Sequence, residues 1–142
     1  MSFKVFLDSP LATIPLRADN GSAGYDLTSI EDVTVLSGER KLVSTGLIIE
    51  IPNNTYARIA PRSGLSCKGI DIGAGVVDST YRGIVKVLFI NNSSSNYEIK
   101  VGNRIAQLIL ERIETPEIIQ IYNKDELLQT NRNDGGFGST GI

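Results

Sequence analysis

The 142-residue chain contains no histidine. That removes every scheme needing an imidazole base and every metal site built on histidine. There is one cysteine, Cys67. A single thiol cannot close an internal disulfide or a cysteine-rich zinc site. As a nucleophile it would lack a histidine partner, so it reads as a small buried side chain. Neither sign of charge dominates: 14 basic and 16 acidic side chains leave a net charge of −2. With no basic block, general electrostatic binding to nucleic acid is not expected. No apolar run approaches membrane length, and Met1-Ser-Phe-Lys-Val-Phe-Leu-Asp8 is too short for a signal peptide. These absences predict an intracellular protein, cytoplasmic or nuclear, with no membrane and no nucleic acid as partner. Apolar content of 41% and charge of 21% are ordinary for one globular domain with a real core.

What is present is a series of short β-type runs. Residues 3–7 alternate loosely. Ala23-Gly-Tyr-Asp-Leu27, Asp32 to Val35, Lys41 to Thr45, Leu47 to Ile51 and Tyr56 to Ala60 continue the pattern. Asp19-Asn-Gly-Ser22, Ser37-Gly38, Gly46 and Pro52-Asn-Asn54 punctuate it with turn residues. Pro61 stops a strand, and Ser63-Gly-Leu-Ser-Cys67 suits a single helical turn. Tyr97 to Val101 reads as strand. The periodicity of Arg104 to Ile113 fits a helix face or a buried strand, and the β context favours strand. A final run, Glu117 to Tyr122, follows Pro116. Lys124 to Gln129 has helix-forming composition but is short for an independent helix. Strands at roughly ten-residue spacing predict an all-β fold, a sandwich or jelly roll.

One stretch carries an acid among glycines: Gly75-Val-Val-Asp78 and Tyr81-Arg-Gly83 frame a turn, with Gly73 just before them. The valines read as strand, Ser79-Thr80 as a turn, and Ile84 to Ile90 as the return strand of a β-hairpin. Asp78 is then a carboxylate near the tip, either a catalytic acid or an ordinary turn residue. Other groups look placed for phosphate. Arg62 offers a charged fork, Ser63 a hydroxyl and Gly64 an unhindered amide, and Gln107 adds an amide donor. Gly-Lys-Ser/Thr of a Walker loop is absent. The last segment, Arg132 to Gly141, holds one ring, Phe137, among glycines, with Gly138, Ser139 and Thr140 after it. Glycine loses much conformational freedom on ordering, so such a tail stays mobile unless a ligand holds it. Together these groups suggest a nucleoside phosphate, with Phe137 stacking on the base.

Five ordered stretches then make the chain resemble the trimeric dUTP diphosphatases (dUTPases). They are Ala23-Gly-Tyr-Asp-Leu27, Pro61-Arg-Ser-Gly-Leu-Ser66, the Gly75 to Gly83 stretch, Gly102-Asn-Arg-Ile-Ala-Gln-Leu108, and Arg132 to Gly141. The resemblance covers nearly the whole chain. It implies a jelly-roll subunit, residues 1–122, with a C-terminal arm, residues 123–142, that closes an active site shared between subunits of a homotrimer. The implied reaction converts dUTP and water to dUMP and pyrophosphate, with Mg²⁺ held mainly by phosphates and waters and no dedicated protein ligands. It would clear dUTP from the nucleotide pool and supply dUMP for dTMP synthesis.

The resemblance also implies roles. Asp78 is the general base for the attacking water; an aspartate carboxylate accepts a hydrogen bond or proton in such a role. Tyr81 packs under the deoxyribose and excludes a 2′-hydroxyl. Main chain at Gly75, Val76 and Val77 reads the uracil edge, a mode of selection that can reach about 10⁴-fold. Arg62, Ser63 and Gly64 hold the phosphate chain and Gln107 the α-phosphate region. Arg132, Ser139 and Thr140 grip the γ-phosphate, while Phe137 with Gly138 covers the base. Asp26 is a supporting or structural acid. Three positions depart from the common pattern: Asn103 for Asp, Asn133 for Gly, and Thr80 for a frequent acid. The first puts a local ion pair near Arg104 in doubt. The alternatives are a non-catalytic dUTP-binding signalling trimer, told apart by binding without turnover, and a dCTP deaminase relative, told apart by ammonia release.

Overall fold

The computed structural model describes residues 1–139 and 141. The strands are β1 (Lys4–Leu7), β2 (Tyr25–Thr28), β3 (Val33–Val35), β4 (Arg40–Glu50), β5 (Thr55–Ala60), β6 (Ile70–Gly73), β7 (Val76–Val77), β8 (Val85–Asn91), β9 (Tyr97–Ile99) and β10 (Arg104–Arg112). One short helix, α1 (Ser63–Ser66), and a 3-10 turn at Lys124–Glu126 complete the elements. The fold is all-β, as the turn-punctuated sequence implies. Two four-stranded sheets run in the orders β1-β4-β8-β6 and β2-β10-β5-β7, and β3 pairs with β9. Among the described residues the ladders do not close into a barrel.

Alternation explains how the sheets bury one face. In β8, Val85, Val87, Phe89 and Asn91 point inward and are buried, while Lys86 points out. Inward residues of both large sheets, among them Val43, Val87 and Phe89 from one and Leu27, Ala57 and Leu108 from the other, form one core cluster. Full burial of a side chain such as Phe89 contributes roughly 1.5–3 kcal/mol. The buried amide of Asn91 is satisfied: Nδ2 donates to the carbonyls of Val35 and Ser95 at 3.0 and 2.8 Å. Its Oδ1 accepts from the Ser93 amide at 3.0 Å, which fixes the loop after β8.

Several expectations change. Lys41 to Thr45 and Leu47 to Ile51 are not separate strands; β4 runs through both with an irregular register between Ser44 and Leu47. Gly46 absorbs the irregularity at φ +67°. Arg104 to Ile113, by contrast, is the strand that the β context favours: β10 is paired on both edges, to β2 and β5. Glu117 to Tyr122 forms no strand, and Ile118 and Tyr122 are exposed. Cys67 is exposed, not buried. It follows a helical turn whose single buried residue is Leu65.

The hairpin expected of Val76-Val77 and Ile84 to Ile90 is also corrected. β8 does not pair with β7. It pairs with β6, from Ile70 opposite Asn91 to Gly73 opposite Leu88. β7 pairs with β5 in the other sheet. The hairpin exists, but its outgoing strand lies earlier, and residues 74–84 are its wide connection. At the start of that connection Ala74 and Gly75 both take positive φ, 52° and 83°. This pair of left-handed residues turns the chain out of one sheet toward the other.

Candidate active site

The 74–84 connection builds one wall of a cavity of ≈ 340 Å³ lined by Gly75, Val76, Val77, Asp78 and Tyr81 with Ile84, Lys86 and Leu88. Asp78 is exposed at this cavity. Its carbonyl accepts from the Tyr81 amide at 3.0 Å, closing the Ser79-Thr80 turn. The turn brings carboxylate and ring to the same cavity. The Tyr81 hydroxyl donates to the Ile84 carbonyl at 2.9 Å. The ring lies over Gly83, where a Cβ would collide with that hydroxyl. Gly83 is therefore a packing requirement for the ring.

Gly75 has a packing purpose as well. It is buried, its carbonyl accepts from the Ile59 amide at 2.8 Å, and a Cβ would stand 2.6 Å from the Ile59 carbonyl oxygen. It lets two main chains touch. Val77 sits opposite Ala57 and Val76 opposite Arg58. Since Gly75 faces Ile59, alternation turns the main-chain groups of Val76 away from β5. β7 is the last strand of its sheet, so those groups lie on an open edge beside the cavity.

A second cavity, ≈ 620 Å³, is lined by Arg62, Ser63, Gly64, Lys68, Arg104, Gln107 and Asp26, among others. The expected helical turn is there: Arg62 is its extended N-cap, and the Leu65 and Ser66 amides donate to the Arg62 carbonyl at 3.0 and 2.9 Å. Asp26 on β2 lies between two cations, 3.3 Å from Arg62 Nε and 3.5 Å from Arg104 Nη1. The carboxylate thus holds two guanidinium groups at one cavity. Gln107 Nε2 donates to the Pro61 carbonyl at 2.9 Å, and a Cβ on Gly24 would collide with the Gln107 amide. Three cations against one carboxylate favour a polyanion here. Asn103 keeps its turn, its Oδ1 accepting from the Lys100 amide at 2.8 Å. The ion pair that its neutral side chain put in doubt is supplied to Arg104 by Asp26.

Among the described residues, the tail lines neither cavity. Arg132 Nε donates to the Gly135 carbonyl at 2.6 Å, closing the segment on itself. Asn133 takes φ +43°, a conformation asparagine tolerates, and its Oδ1 accepts from the Thr130 amide at 3.1 Å. Phe137 is fully exposed, and the Ser139 amide donates to Gly136. Thr140 lies outside the described residues. The structure therefore groups Asp78, Tyr81 and Gly75 to Val77 at one cavity, and Asp26, Arg62, Ser63, Gly64 and Gln107 at another. No described residue lines both.

Some lining residues escaped the sequence reading. Lys86 alternates with Leu88 on the outer face of β8, and Lys68 lies just past α1. Their periodicity and position were the available signals. Among the described residues no group of three or more His, Cys, Asp or Glu is placed to hold a metal ion. No helix among them is long and apolar enough to cross a membrane.

The dUTPase family profile matches residues 11–141. The chain is 55% identical over 132 residues to a deoxyuridine 5'-triphosphate nucleotidohydrolase of Paramecium bursaria Chlorella virus 1, covering 92% of each chain. It is 52% identical to a protein of that name from Arabidopsis thaliana, covering 99% of this chain and 83% of the relative. A Dictyostelium discoideum relative, 51% identical over 99% of this chain and 78% of its own, is named mitochondrial. Among solved structures, a Staphylococcus bacteriophage 80alpha dUTPase with dUpNHpp superposes with a TM-score of 0.92 at 28% identity, covering 99% of both chains. A phage phi11 dUTPase, described with a structural Mg(II) ion, gives 0.81 at 27% identity over 87% of this chain and 98% of its own.

Proposed function

The chain belongs to the dUTPase family and is a dUTP diphosphatase, and we propose that its two cavities hold the two ends of the substrate. Uracil and deoxyribose lie against the 74–84 connection, and the triphosphate against α1 and the Arg104 end of β10. The observation that carries this reading is the exposed Asp78 carboxylate beside a ring held in place by the Ile84 carbonyl.

Asp78 orients a water and takes its proton as the water oxygen bonds to the α-phosphorus. The bond from that phosphorus to the bridging oxygen of the departing pyrophosphate breaks. Arg62, Ser63, Gly64 and Gln107 hold the phosphates in line, and such positioning provides much of the catalysis of phosphoryl transfer. Tyr81 closes the sugar site to a 2′-hydroxyl, and the open main-chain edge at Val76 reads the base. Arg132, Ser139 and Thr140 bind the γ-phosphate, with Phe137 and Gly138 over the uracil.

Mg²⁺ suits this cavity as a companion of the substrate. Among the described residues Asp26 is the one carboxylate lining it and already faces two arginines, so phosphate oxygens and waters would hold the ion. When bound it neutralises triphosphate charge.

We further propose a homotrimer of jelly-roll subunits, with residues 123–142 as a lid on a shared site. Among the described residues, two cavities with no common lining residue, a tail that lines neither, and the exposed Ile118 and Tyr122 before it support this assembly. The working compartment is proposed to be the cytoplasm or nucleus.

The test is pyrophosphate release across dUTP, dCTP, dTTP and UTP with Mg²⁺, on the full chain and on one ending before Arg132. Release from dUTP alone, lost on truncation, is the expected result. Ammonia from dCTP, or dUTP binding without turnover, would point to the alternatives. Equal activity of the truncated chain would remove the lid.

A further inference from the structure

Arg82 stands between Tyr81 and Gly83, and nothing above gives it a role. It does not line the cavity that Asp78 and Tyr81 share. Its guanidinium instead points back into the main chain that carries them. Nη1 donates to the Ser79 carbonyl at 2.8 Å and to the Tyr81 carbonyl at 2.9 Å, and reaches the Ile49 carbonyl at the end of β4 at 3.5 Å. Nη2 is 3.8 Å from Glu50, which Lys4 of β1 also holds at 2.7 Å. One cation therefore gathers the carbonyls of the turn and ties them to the sheet that carries β8.

That arrangement meets a specific need. Residues 74–84 connect β6 to β8, and within them only Val76 and Val77 belong to a strand. The turn that follows has one main-chain bond of its own, from the Tyr81 amide to the Asp78 carbonyl. Its outward carbonyls would otherwise face water, leaving the turn free to shift relative to the cavity. A planar fork holds several carbonyls in fixed geometry, and a lysine ammonium on a flexible stem does not.

We propose that Arg82 is a positioning residue for the reaction, clamping the turn so that Asp78 and Tyr81 keep their places at the cavity. This rests on the roles given to those two residues above. A displacement of about 1 Å at a reacting group can cost about 10²-fold in rate. Loosening one turn that carries both groups has a paired signature. Turnover falls, and discrimination between dUTP and UTP falls with it.

The experiment compares Arg82→Lys and Arg82→Ala with the unaltered protein for kcat and KM on dUTP, for the dUTP/UTP ratio of kcat/KM, and for thermal midpoint. Asp78→Asn is run alongside. The expected result for Arg82→Lys is a folded protein with kcat down roughly 10–100-fold, KM changed far less, and a narrower dUTP/UTP ratio. Arg82→Ala moves further the same way. The clamp is overturned if Arg82→Lys keeps wild-type kcat and wild-type selectivity. It is equally overturned if the thermal midpoint falls while the folded protein's kinetics stay intact, which would make Arg82 structural only. If Asp78→Asn itself stayed active, the underlying reading of the site would be at fault, not the clamp alone.

Discussion

On the proposed reading, Asp78 and Tyr81 act as a pair set by four residues of chain, and each has a distinct consequence. Asp78→Asn keeps the size of the side chain and removes the proposed base. Turnover of dUTP is expected to drop by about 10²–10⁴-fold, with binding retained in a titration; normal turnover would remove Asp78 from the chemistry. Both residues stand out in the sequence because an acid and a ring among glycines need explaining. Arg82 does not stand out, because an arginine that collects main-chain carbonyls has no spacing signature. Cys67 departs from expectation for a related reason. Thiols are usually buried, but a four-residue helix with only Leu65 inward has no second buried position to offer. Lys86 shows the limit from the other side: alternation puts it outward, but only the fold reveals that outward there means toward a cavity.

At the scale of elements, alternation and turn residues reveal which segments are strands far better than which strands are partners. β8 is plain from Val85, Val87 and Phe89. Its neighbour β6 is not, because Ile70-Asp-Ile-Gly73 is short, follows Gly69 and ends in a glycine of its own. Partner choice depends on where the connection between them can turn. Here that depends on Gly75, with φ +83° and the Ile59 carbonyl 2.6 Å from a built Cβ. Gly75→Ala should therefore destabilise the protein by roughly 1–3 kcal/mol, the scale of a strained residue. It should also loosen β7 from β5, read as a lower urea midpoint and faster amide exchange at Ile59. An unchanged midpoint would mean that the contact relaxes without cost. The same substitution at Gly38, where a built Cβ meets nothing, separates the contact from left-handed conformation alone.

For the molecule as a whole, the missing histidine shapes the response to pH. Glu50 is held below its ordinary 4.5, chiefly by the Lys4 hydrogen bond and charge. Asp19 is held below 3.8, chiefly by the Gly21 amide. Depressed carboxyls stabilise the fold above their unfolded values, and that share disappears as pH falls through the folded values. Tyr56 is raised above 10.0, chiefly by donating to Glu111. Its share is complete below pH 10 and is lost as pH rises through the folded value. A thermal midpoint that is flat from about pH 5 to 9 and declines on both sides is expected. A step between pH 6 and 7, where histidine would titrate, would point to a group outside this account. A last consequence concerns what mutation can reach. On the proposed reading, the base is judged by the open edge of β7, which is main chain and identical whatever side chain stands at residue 76. Single codon changes there cannot swap a donor for an acceptor. Base preference is thus shielded from drift: evolution can weaken it by displacing the strand, but can hardly retune it one residue at a time.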